Sequence, residues 1–176
     1  IDNTMTNPAL NILGNISSSS TDLTNDAPRG GTNVLGEGPG PEPEAVKSNI
    51  AMPGTTTRFT LYVNNTSNNH DNYNLEASTV SNFSQITLPA GWTVDFVDAN
   101  DYIINNTGSI APGSSKLVYA DVSIPADAGV AKTSLYFRIT SPNSGASDIK
   151  HDEVDVGEFT DLVLQPDNQG QVLPGG

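Results

Sequence analysis

The chain has 176 residues, enough for one ordinary domain with flanking material, and its 20 acidic against 7 basic side chains leave a net charge of −13. That charge repels nucleic acid and anionic lipid, so both are set aside as partners. There is no cysteine, which removes disulfides, thiolate metal sites and a cysteine nucleophile, and no apolar run is long enough to enter a bilayer directly.

Taken in order, residues 1–44 read as an N-terminal extension and a Pro/Gly-rich linker. A weakly apolar patch from Leu10 to Ile16 gives way to a serine run. The chain then reaches Gly36-Glu37-Gly38-Pro39-Gly40-Pro41-Glu42-Pro43-Glu44, whose prolines offer no N–H to a ladder. The module proper spans residues 45–157. Pro53-Gly54 turns the chain into a strand that puts Phe59, Leu61 and Val63 on one face. Asn64 to Asn72 is a polar turn. A strand through Tyr73, Leu75 and Ala77 follows, and Ile86 to Leu88 leads into Trp92, Val94 and Phe96, which alternate with Thr93 and Asp95. Trp92 is the only tryptophan, so the remaining strands are expected to pack around it.

Tyr102-Ile103-Ile104 predicts a short strand after a polar loop. Val118, Ala120, Val122 and Ile124 form the next inward set, closed by Pro125. Leu135, Phe137 and Ile139 repeat the pattern, and Ile149 to Val156 is the last strand of the module. Residues 158–176 predict the start of a following module or a C-terminal strand, since Pro174-Gly175 echoes Pro53-Gly54. Starting at Ile1, the chain is expected to be a processed product or a piece of something longer. Seven or more short alternating strands broken by Pro-Gly and Asn turns imply an all-β fold of two antiparallel sheets packed face to face.

A resemblance is carried by Asn64-Asn65-Thr66-Ser67-Asn68, His70-Asp71-Asn72-Tyr73-Asn74-Leu75, Leu88-Pro89-Ala90-Gly91-Trp92, Ala111-Pro112-Gly113-Ser114 and Ile124-Pro125-Ala126-Asp127-Ala128. In this order they resemble the immunoglobulin-like repeat domains of bacterial and archaeal surface and S-layer-associated proteins, and similar modules appended to bacterial glycosidases. The resemblance covers Ala45 to Val156. It implies an extracellular, tandemly repeated immunoglobulin-like antiparallel β-sandwich at the bacterial cell surface, used as stalk, lattice component or adhesive spacer.

Calcium is the one cofactor the residues suggest. Asp95, Asp98, Asn100 and Asp101 gather oxygen ligands after a strand, although Tyr102 stands where the next ligand belongs and the usual glycine is missing. The competing reading is a solvated acidic loop. His151, Glu153 and Asp155, with Asp148 and Asp152 nearby, predict an exposed charged strand face. His70-Asp71 predicts a turn pair, and Tyr62, Tyr119 and Tyr136 point outward. Several Asn-x-Ser/Thr sequons, including those at Asn64 and Asn65, are expected by chance in so asparagine-rich a chain. None of the lysines, Lys47, Lys116, Lys132 and Lys150, lies in a crosslinking motif. With no positioned nucleophile in view, the expectation is a non-enzymatic structural or adhesive module. Its partners would be neighbouring modules of the same or like chains, and surface glycans or proteins. The alternative is a carbohydrate- or protein-binding module or an accessory domain of a secreted hydrolase.

Overall fold

In the structure, a computed structural model, residues 20–158 are described. The Leu10 to Ile16 patch, the sequon at Asn15 and everything from Phe159 onward lie outside them. Among the described residues the chain forms eight strands: β1 (Thr21–Asn25), β2 (Lys47–Ala51), β3 (Thr56–Asn65), β4 (Asn74–Ser78), β5 (Thr93–Val97), β6 (Ser115–Ser123), β7 (Ala131–Thr140) and β8 (Ser147–Val156). They build two four-stranded sheets, ordered β1-β3-β6-β5 and β2-β8-β7-β4. This is an all-β immunoglobulin-like sandwich.

The alternation seen in the sequence sets the faces. Phe59, Leu61 and Val63 of β3, Val118, Ala120 and Val122 of β6, and Leu135, Phe137 and Ile139 of β7 are all buried between the sheets. At the centre, Phe137 of one sheet meets Phe59 and Phe96 of the other, with ring centroids 5.5 and 6.0 Å apart in tilted and edge-on geometry. Trp92 is buried too, at 9% exposure, but it precedes β5 at the rim and is not among the fully enclosed side chains. The organising centre is therefore the phenylalanine trio. A turn closed by the Trp92 N–H to the Pro89 C=O holds the indole at the edge of the core.

Three further expectations change. The pairing is antiparallel except between β2 and β8, which run parallel. Both β1 and β2 run the same way, β1 along β3 in one sheet and β2 along β8 in the other, so a single edge is split between two sheets. Tyr102 to Ile104 forms no strand; one isolated bridge joins Ile103 to Val97, and Tyr102 and Ile103 stay 70% and 72% exposed.

The third change concerns residues 20–44, expected to be extension and linker. Residues 21–25 are a strand of the sandwich, with Leu23 in the core, and the Pro/Gly-rich stretch is a strap packed along β1 and β8. Asn25 and Leu35 exchange backbone hydrogen bonds, and the Val46 N–H donates to the His151 C=O. The prolines lack donors, so the strap is held instead by side chains and by glycines that let it lie close.

Gly40 shows how close. A Cβ there would sit 1.8 Å from the Ile149 carbonyl oxygen, which is backbone and cannot step aside. Gly40→Ala is therefore expected to lift the strap and destabilise the fold by roughly 2 kcal/mol or more, at the upper part of the overpacking range. Thermal melting of the full chain checks this, and a midpoint within a degree or so of wild type would count against it.

Candidate functional site: a polar latch between the first and last strands

Pairing fixes the ends of the sandwich. Thr21 lies opposite Asn65, and the Thr66 N–H donates to the Ser20 C=O, so the chain enters at what we term the upper end. Val156 lies opposite Ala131 and Ala51, and the Gly157 N–H donates to the Ala51 C=O, so it leaves at the lower end. The first and last strands are thus loaded from opposite ends.

These two strands are joined by charged groups. Asp148, Lys150 and Asp152 sit on alternate positions of β8 that turn inward, toward β1 and the strap, rather than out to solvent. Of the face expected to be exposed and charged, Glu153 and Asp155 stay partly exposed, whereas His151 is buried, as are Asp148 and Asp152 beside it. Asp148 accepts the Leu23 N–H at 2.7 Å through one oxygen and the Gly40 N–H at 2.8 Å through the other. The Lys150 side chain is 0% exposed and its Nζ donates to the Gly36 carbonyl and the Glu42 carboxylate. Asp152 accepts from Asn25 Nδ2 at 2.9 Å.

Glu42 also accepts the His151 N–H at 3.0 Å. The His151 ring stacks on Tyr136 with centroids 4.5 Å apart. Its Nδ1 meets the Glu42 carbonyl at 2.9 Å, and since a carbonyl only accepts, that nitrogen carries a proton; Nε2 lies 2.9 Å from Ser134 Oγ. Arg29 with Asp22 and Lys47 with Asp26 pin the rest of the strap. β1, the strap and β8 are in this way bound as one unit.

Burial sets the protonation of the latch. It pushes the carboxyl of Asp148 up to about 7, against the pull of the Leu23 and Gly40 amides and of Lys150. Burial likewise pushes Asp152 up to about 7, against the Asn25 hydrogen bond and Lys150. Three buried oxygens where β1, the strap and β8 meet lack hydrogen-bond partners among the described residues: Oδ1 of Asp22, of Asn25 and of Asp152.

A second polar feature lies at the upper end. Asp71 is buried and accepts Ser141 Oγ at 2.6 Å, Ser144 Oγ at 2.7 Å and the Asn72 N–H at 2.8 Å. Burial opposes its ionisation, but those bonds outweigh burial and hold its carboxyl below the usual range. Asp71 is thus more than the turn partner of His70: it ties the loop after β7 to the loop before β4. A cavity of about 360 Å³ opens beside it, lined by His70, Ser67 and Ser144 among others. Ser144, like Ser141, donates to the Asp71 carboxylate, and Ser67 Oγ donates to Asn65 Oδ1.

Of the four candidate calcium ligands, Asp98 and Asp101 already hold protein partners. Asp98 Oδ1 accepts the amides of Asn100 and Tyr102, closing a local turn. Asp101 binds Arg58 at 2.8 Å, and Arg58 holds Asp121 at 2.7 Å while its guanidinium lies over the Tyr119 ring. Asp95 is exposed on the outer face of β5, at the margin of a cleft on the open side of the sandwich. Among the described residues no group of three or more His, Cys, Asp or Glu side chains is placed to hold a metal ion. The backbone amides and Arg58 compete for the oxygens that a calcium ion would need. Tyr62, Tyr119 and Tyr136 are all half-buried. Asn64 and Asn65 are buried with their amides bonded to backbone carbonyls, so their sequons are closed to a glycan.

No protein-family model and no curated protein matches the chain. Similar folds occur among solved structures. A family 123 glycoside hydrolase from Clostridium perfringens matches 64% of this chain at 13% identity and a TM-score of 0.45. The sialic acid binding region of a Streptococcus sanguinis adhesin matches 66% at 13% identity, also at 0.45. A PapD-like domain of human CEP192 matches 80% at 13% identity and 0.42, and 87% of that domain is covered. The match spans 23% of the hydrolase and 29% of the adhesin region. The likeness is one of β-sandwich fold. Among the described residues no helix is long and apolar enough to cross a membrane.

Proposed function

We propose that this chain is a non-enzymatic structural and adhesive module of a repetitive extracellular bacterial surface protein, of the S-layer or adhesin kind, in which sandwiches joined end to end give reach. The observation that carries this reading is the placement of Ser20 and Gly157 at opposite ends, with the latch tying the strands that lead to them. Tension between those ends pulls β1 upward and β8 downward. It loads Leu23 to Asp148, Asn25 to Asp152 and the strap contacts together, so several bonds must fail in one event. A carbohydrate- or protein-binding role, or service as an accessory domain of a secreted hydrolase, is the second reading; the hydroxyl-lined notch beside Asp71 favours it.

Single-molecule pulling on a tandem of full-length copies tests the primary reading, because forced unfolding reports the unfolding rate. Each copy is expected to unfold in one abrupt step, at a force that drops in Lys150→Met. Gradual low-force extension that ignores the latch would speak against a load-bearing role, as would failure of surface proteolysis of intact source cells to release peptides of this chain.

A further inference from the structure

The two long sides of the sandwich are finished differently. On one, the strap closes the gap between β1 and β8. On the other, the edge strands β4 and β5 face each other across a cleft of about 320 Å³. That volume is at the small end of ligand clefts. Its floor is apolar, from Leu75, Ala77, Leu88 and Phe96, and exposed Ile86 and Ile103, at 56% and 72%, stand at its margins.

The backbone along this cleft is clipped at two places. Residues 104 and 105 bridge the upper part, Ile104 N–H to the Phe96 C=O at 2.8 Å and Leu75 N–H to the Asn105 C=O at 3.0 Å. Below, the Thr79 N–H meets the Thr87 C=O at 2.9 Å. Since Leu75 and Thr79 both direct their amides away from β7, strand alternation aims those of Ala77 the same way. Phe96 sets the same direction for Val94 on β5. The N–H and C=O groups of Ala77 and Val94 have no partner among the described residues. An uncovered edge of this kind is a template for another strand.

Charge selects the occupant. Asp95 stands opposite Asp121 in the β5–β6 register, and Arg58 is engaged by Asp121 and Asp101. The Asp95 carboxylate has no ion pair or hydrogen bond among the described residues, whereas Glu76 across the cleft is neutralised by Arg138 at 2.9 Å. Asp95 points to the outer face, and a strand laid beside β5 would place its own outward residue next to it while its alternate residues enter the apolar floor. The net charge of −13 works against a second copy of this chain in that position.

We propose that the open side between β4 and β5 takes up an extended strand from a partner protein, apolar at alternate positions and carrying a lysine or arginine beside Asp95. The probe is a synthetic peptide of about ten residues, a full strand length, alternating valine with threonine around a central lysine, together with its lysine-to-glutamate counterpart. Added to the full chain, the lysine peptide is expected to shift the amide resonances of Ala77 and Val94 and slow their hydrogen exchange. The glutamate peptide is expected to bind about tenfold more weakly, and Asp95→Lys to invert that order. Ile103→Asp, at an exposed position that leaves the core intact, is expected to abolish binding. Unperturbed Ala77 and Val94 amides would overturn the proposal, as would binding that survives in Ile103→Asp. Sedimentation showing dimers dissolved by Ile103→Asp would overturn it in favour of a second copy.

Discussion

Lys150→Met is expected to lower the unfolding free energy by about 3–5 kcal/mol, the range for removing one partner of a buried ion pair. The lysine stem and the methionine fill similar volumes, so the loss is electrostatic rather than steric. Without the ammonium, the Glu42 carboxylate and the Gly36 carbonyl face each other with no shared donor, and Asp148 loses its nearest cation. Urea denaturation of the full chain reads the effect as a fall in midpoint at unchanged slope. Adding Glu42→Gln is expected to recover part of the loss, because the orphaned charge goes with it. A single-variant loss below about 1 kcal/mol would mean that Lys150 packs without holding the strap.

The second large effect is on pH. Asp148 and Asp152 have folded values near 7, raised by burial above the ordinary carboxyl value of 3.8. Below 3.8 both groups are protonated in the folded and the unfolded chain. Between about 4 and 7 the folded protein keeps protons that the unfolded chain releases, so stability falls as pH rises through that window and levels off above it. The scale is on the order of 4 kcal/mol for each carboxyl. Asp71 acts oppositely at the acid end: its lowered value gives stability that disappears as pH falls through its folded pKa.

Asp152→Asn isolates the cause. A side-chain amide at this position keeps an acceptor for Asn25 Nδ2 and carries no charge to bury. The variant is expected to be more stable than wild type at pH 8, about equal at pH 4, and flatter in between, measured by urea midpoints across the range. Destabilisation at pH 8 would show that Asp152 is held ionised by Lys150 instead.

Much of the architecture was legible in local order. The period-two burial of Phe59, Leu61 and Val63, and of Leu135, Phe137 and Ile139, follows from strand geometry, and Pro-Gly turns mark where strands reverse. What each strand meets is not local. The importance of Trp92 was read from its size, yet the centre went to three phenylalanines brought together from β3, β5 and β7. A charged strand such as β8 has the composition of a solvated face, and only the strap, more than a hundred positions earlier, makes it an interior one. The one available signal was that the Pro/Gly stretch carries Glu42 while β8 carries Lys150 and His151.

By itself the amino-acid sequence determined that this chain is all-β and sandwich-forming, and that it carries a strongly negative net charge, because alternation, turn residues and net charge are properties of neighbouring positions and of sums. The tertiary structure alone decided that residues 21–46 belong to the domain, that Asp148, Lys150 and Asp152 are buried, and that the side between β4 and β5 is left open. Burial and exposure depend on which distant segment lies across a strand. An aspartate or lysine carries the same local signature whether water or another part of the chain covers it.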